Sequence, residues 1–150
     1  MLYDMQKVLI LILVLFLILI LILFLSSLQE KKRGQVCFKD YCFEVDIAQS
    51  FAQRAKGLMF REKLEKNQAM LFIFKTEKKH NFWMKNVSFP LDIIWIDANK
   101  KVVFISPNNQ PCDNSKCFAI QPKQKAKYVL EINGGMAKEI GIKIGSQLIF

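Results

Sequence analysis

The chain has 150 residues, 52% of them hydrophobic, with 22 basic against 13 acidic side chains and a net charge of +9. The lysines are scattered and no stripe of Lys or Arg interleaved with aromatics appears, which argues against nucleic acid as the partner. The positive excess instead favours an anionic lipid surface or a cell-surface polymer.

Residues 1–7 form a short N-terminal flank. Residues 8–25 are eighteen consecutive apolar side chains without Gly, Pro or a polar group. As a helix this run would be roughly 27 Å long, close to the ~30 Å hydrocarbon core of a bilayer, and it lacks the polar stripe of a surface helix. It reads as a transmembrane helix or signal-anchor. The run exceeds the ~7–15 residues of a secretory h-region, and Leu25-Ser26-Ser27-Leu28 matches a cleavage site poorly. An uncleaved anchor is therefore favoured, with a cleaved secreted form as the alternative. Lys7 and Asp4 are the only charges before Glu30 and cancel each other, so the +9 resides entirely on the C-terminal side of the apolar run.

A polar linker is expected over 26–36 and one domain over 37–150. Lys31, Lys32 and Arg33 after the helix would, by the positive-inside tendency, retain the domain in the cytoplasm. The cysteines argue for the opposite side. Cys37-x4-Cys42 and Cys112-x4-Cys117 each bracket a plausible turn, and two short disulfides in an oxidising, extracytoplasmic compartment explain them most simply. A zinc site using all four thiolates is the metal-based alternative, and free thiols are the third.

Within the domain, Tyr41, Phe43, Val45 and Ile47 alternate with Cys42, Glu44, Asp46 and Ala48, the pattern of a half-buried strand. Ser50-Phe-Ala-Gln53 has capping-box form and Gly57 can end the short helix it opens. Further strands are expected at 69–74, 81–86, 89–96, 102–105 and 128–132. A second short helix should open at Gly134-Gly135 and run to about Gly141, and 147–150 should form a closing strand. The expected fold is mainly β (α+β): a β-sandwich or rolled barrel of about 6–8 strands with two short helices, preceded by one N-terminal transmembrane helix.

The segments "EVDIAQSFAQRAKGLMFREKL", "AMLFIF", "FWMKNVSFPLDIIWID", "QPCDNSKC" and "YVLEINGGMAKEIGIKIG" occur in this order. Together they resemble the family called domain of unknown function 192, over about residues 42–150. The resemblance implies a small secreted or membrane-tethered prokaryotic β-rich domain and carries no established activity. Ala69 stands where a glycine is common in that family and Trp95 where a phenylalanine is common. Cys112 and Cys117 fall in its Pro-Cys…Cys loop, whereas Cys37 and Cys42 lie outside its pattern.

In a strand over 81–86, Trp83 and Lys85 would share a face, and an indole beside an ammonium can bind sugars or anions. His80 and Met84, with Met59 and Met70 elsewhere in the chain, raise a weaker copper alternative; methionines in apolar strands are usually core. Catalysis has little support. The lone His80 sits in a Lys-Lys-His-Asn turn, and no phosphate loop, dinucleotide fingerprint or His-x3-His helix is present. Arg54, Arg61, Lys85, Asp92 and Glu131 are charged residues in apolar surroundings, and Arg54 is the preferred partner for the two carboxylates.

The leading reading is a membrane-anchored, extracytoplasmic ligand-binding or accessory envelope protein. Its site is expected around Arg54, Trp83, Lys85, Asp92 and Glu131, for an unknown small ligand or an envelope polymer. One alternative is an envelope hydrolase or carbohydrate-active enzyme using Asp92 and Glu131 as its carboxylate pair. The other is a purely structural envelope protein.

Overall fold

The computed structural model describes residues 2–27, 32–112 and 117–150. The turn expected at 113–116 and residues 28–31 of the expected linker lie outside them. Two compact units are present, one up to Lys31 and one from Lys32 to Phe150.

The first unit is a single helix, α1 (Leu2–Ser27), of 26 residues. Its most apolar stretch, Met5–Ile22, has a mean hydropathy of 3.0, and none of it is buried. By length and composition it can cross a membrane.

The second unit is built on one six-stranded mixed sheet. In chain order its elements are β1 (Arg33–Phe38), β2 (Tyr41–Ala48), α2 (Phe51–Lys56), β3 (Gln68–Lys78), β4 (Leu91–Ile96), β5 (Val102–Asn109), β6 (Ala126–Asn133) and α3 (Met136–Ile140). The spatial order is β1-β2-β3-β6-β4-β5. Only β2 and β3 run parallel, because a parallel pair needs a long crossover, which residues 49–67 supply with α2. The domain's first strand begins at Arg33, inside the expected linker.

Both faces of the sheet are covered. One carries Val36, Phe43, Val45, Leu71, Ile94, Leu130 and Ile132 beneath α3 and Leu148. The other carries Phe72, Ile93, Trp95 and Val129 beneath Leu58, Met84 and Val87. All six residues of β4 are buried, which is why its sequence is apolar on both faces except at Asp92.

Residues 145–149 join the two edges of the sheet. Ile149 exchanges backbone hydrogen bonds with Cys37 of β1, while Val102 of β5 does so with Gly145 and Ser146. The fold is therefore one rolled sheet closed by its C-terminal segment, and not a two-sheet sandwich. Because that segment is divided between two edges, it makes isolated bridges at Gln147 and Ile149 and no continuous closing strand.

The strand expected at 81–86 reduces to one bridge between Phe82 and Ile120. Immediately afterwards Val87 N–H bonds to Met84 C=O, and Asn86 takes φ of 55°, so the chain turns away.

Candidate functional site

Helix α2 sets one wall of the site. Ser50 Oγ accepts from Gln53 N–H at 3.2 Å, and Gln53 Oε1 accepts from Ser50 N–H at 2.9 Å, the reciprocal cap its sequence announced. Gly57 ends the helix at φ of 50°, and a Cβ there would stand 3.3 Å from the Phe72 ring. Glycine thus permits both the left-handed turn and close seating of the Leu58-Met59 segment on the sheet.

Asp92 and Glu131 do not meet. In the β4/β6 ladder Asp92 is opposite Ile132 and Ile93 is opposite Glu131. Directly opposed residues share a face and successive residues alternate, so the sheet separates the two carboxylates. Asp92 is fully buried and accepts from Asn108 N–H (2.7 Å), Gly135 N–H (2.9 Å) and Ala137 N–H (2.8 Å). It ties β5 to the start of α3. The two carboxylates therefore do not share the one groove that the hydrolase alternative expects, and Asp92 ties backbone segments together.

Glu131 lies on the opposite face, in a cross-strand row with Asp46, Met70 and Ile93. Two strand spacings separate Asp46 from Glu131, about 10 Å between backbones. Arg61 donates to Asp46 Oδ2 at 2.5 Å. Burial pushes the Glu131 carboxyl up to about 8, against the opposing pull of Arg61. Glu131 is 4% exposed, and its Oε2 is buried without a hydrogen-bond partner. At neutral pH it is mainly a neutral acid, able both to donate and to accept.

That carboxyl lines a small recess together with Arg54, Met59, Phe72, Trp83 and Lys85. The recess has room of about 30 Å³, enough for a water molecule or two. A wider groove of about 400 Å³ shares Arg54, Phe72, Phe82 and Trp83 with it and adds Phe51, Phe74 and His80. Four of the five expected site residues thus converge, and Asp92 alone lies elsewhere. Trp83 and Lys85 do so without strand alternation, since the turn after Phe82 brings Lys85 Nζ to 5.7 Å from the Trp83 ring centroid.

Arg54 pairs with neither carboxylate. Its guanidinium donates to the carbonyls of Gln49 and Ile73, the latter at 3.2 Å, and lies over the Phe74 ring. Arg61 holds a carboxylate, that of Asp46, which Arg33 Nε also approaches to 4.0 Å. Asp46 is hard to single out in the sequence because it is one of the polar positions of a strand with period two. Met59, Phe51 and Phe82 also line the two spaces; of these the sequence singles out only Met59, and only within the copper alternative.

His80 is stacked on Phe74 at 3.5 Å between centroids, and its backbone carbonyl accepts from Trp95 Nε1 at 2.8 Å. Partial burial lowers its pKa. Met84 is 4% exposed within the core cluster and does not line the groove that contains His80. The four cysteines are paired as Cys37–Cys42 and Cys112–Cys117. Cys37 and Cys42 are opposed in the β1/β2 hairpin. Cys37 uses its own N–H and C=O on Ile149, so this is a non-hydrogen-bonded pair, where opposed side chains come closest.

Comparison with known proteins agrees with the fold and leaves the activity open. The model of the family DUF192, described as an uncharacterized ACR, matches residues 34–150. A UPF0127 protein of Pyrococcus horikoshii is 32% identical over 111 residues, covering 70% of this chain and 85% of the relative. A UPF0127 protein of Pyrococcus abyssi is 30% identical over 112 residues, with 70% and 84% covered. The crystal structure of a protein of unknown function from Novosphingobium aromaticivorans superposes with a TM-score of 0.75 at 31% identity, covering 82% of this chain and 89% of that one. With the family pattern matched from the first strand to the closing segment, the chain belongs to the domain of unknown function 192 family.

Proposed function

We propose that the protein is a membrane-tethered, extracytoplasmic domain that binds a small ligand or an envelope polymer at the recess above Glu131. The observation that carries this reading is the buried Glu131 carboxyl, its Oε2 without a hydrogen-bond partner, in the lining of a space bordered by Trp83 and Lys85. A buried polar atom without a partner costs about 1–3 kcal/mol, a cost an incoming group that hydrogen-bonds to it would remove. The exposed apolar face of α1 supports a lipid environment for that helix. The two disulfides support an oxidising compartment.

A carboxylate-pair hydrolase is disfavoured, because Asp92 is on the wrong face and Asp46 is held by Arg61. A purely structural role would give the recess no occupant. The test is a thermal-unfolding screen of polar small molecules against the full chain in lipid nanodiscs. A ligand that binds the native state raises its melting temperature by mass action. Compounds that stabilise the wild type and not Glu131→Leu would support the proposal. A screen with no such compound, and a Glu131→Leu variant that is merely more stable, would favour the structural reading.

A further inference from the structure

Three features of the recess narrow its occupant. The first is the contrast between the two tryptophans. Trp95 is fully buried with its N–H bonded, whereas Trp83 is 48% exposed at the mouth of the groove. An open indole offers a flat apolar face beside a polar edge, which suits the C–H face of a sugar ring.

The second feature is charge. Arg54, Lys56 and Lys85 line the recess, and Glu131 is its only acidic residue. Among the described residues Lys85 has no ion pair, and its Nζ stands beside the Trp83 ring. A ligand lying on that indole would meet an ammonium without an ion-pair partner, so the complementary ligand carries a negative charge.

The third is size. Room of about 30 Å³ at Glu131 admits a hydroxyl group but no ring, while the adjoining 400 Å³ groove accommodates rings. The Glu131 carboxyl can donate and accept at once, and a hydroxyl is the small group that answers both. An acyl chain would leave the Glu131 carboxyl and Lys85 unmatched, and a bare phosphate would leave the indole bare.

We infer that the occupant is an anionic saccharide, with its ring on Trp83, its carboxylate on Lys85 and one hydroxyl at the Glu131 carboxyl. This assignment rests on the recess being a binding site, as proposed above.

The experiment titrates the full chain, in nanodiscs of zwitterionic lipid, with trigalacturonic acid and follows tryptophan fluorescence. Buried Trp95 serves as the unresponsive reference. A saturable change is expected, absent in Trp83→Ala and weakened about tenfold or more in Lys85→Gln, the loss of one charge-assisted contact. Glu131→Gln, whose amide still donates and accepts, should retain binding, and Glu131→Leu should lose it. Melting curves of each variant establish that it is folded. Neutral cellotriose should bind at least about tenfold more weakly, by the same conversion.

Equal affinity for the two trisaccharides, or indifference to Lys85→Gln, would overturn the assignment. If the uronate fails while another compound stabilises the wild type and not Glu131→Leu, the recess is a binding site and the saccharide assignment falls. If nothing binds, both fall together.

Discussion

Asp92 and Glu131 occupy neighbouring strands one register step apart, and they face opposite sides of the sheet. The first meets three backbone N–H groups, and the second lines a recess and keeps one oxygen buried and unbonded. Removing Asp92 would strand three donors, each costing about 1–3 kcal/mol when buried and unpaired. Asp92→Ala should therefore destabilise the domain by about 3 kcal/mol or more, and Asp92→Asn by less. Denaturant unfolding measures both, and an Asp92→Ala variant within about 1 kcal/mol of wild type would contradict the scaffold role.

Glu131 gives stability a pH dependence of definite sign. Its folded value, near 8, lies above the ordinary 4.5, so the native state holds a proton that the unfolded chain has already released. Stability from this group is complete below about 4.5 and is lost as pH rises through about 8, by an amount on the order of a few kcal/mol. His80 acts in the opposite sense: its lowered pKa removes stability as pH falls below its ordinary 6.5. Comparing wild type with Glu131→Gln isolates the carboxyl. The difference between their unfolding free energies should change across pH 5–8 and be flat above about 9.

Arg54 should act as a clamp on backbone carbonyls. Arg54→Ala frees the carbonyls of Gln49 and Ile73 and uncovers Phe74, a loss of about 1–3 kcal/mol. Arg54→Lys should recover only part of it, since an ammonium can donate to the same carbonyls but lacks the flat guanidinium that covers the Phe74 ring. Full recovery of the melting temperature by lysine would show that charge alone matters there.

The cysteines make a prediction about compartment. Native membrane fractions should show no alkylatable thiol until a reductant is added, because all four sulfurs are paired. Labelling of all four in untreated membranes would place the domain in a reducing environment and remove the support for an extracytoplasmic site.

Much of the fold is legible in local pattern. The Ser50–Gln53 box and Gly57 delimit α2, and Gly135 and Gly141 delimit α3. β1 is not, because Lys32, Arg33 and Gln35 resemble a linker when read without their edge position beside β2. The apolar sequence at 81–86 resembles a strand, yet only Phe82 finds a partner. The site shows the same boundary. Asp92 and Glu131 each sit between apolar neighbours and look alike in sequence, but which face each takes depends on the register between strands nearly forty residues apart.

The division of residues 145–149 between β1 and β5 bears on biosynthesis. All six strands are made before the segment that joins their two edges, so a growing chain carries open edges at both Cys37 and Val102 until very late. Such edges invite pairing with other chains. Passage across a membrane in an unfolded state, with closure only after release, would keep them apart for most of that interval. A variant that weakens the segment, such as Leu148→Ala in the core, should therefore be detected first as aggregation during expression rather than as a lower melting temperature of the purified protein.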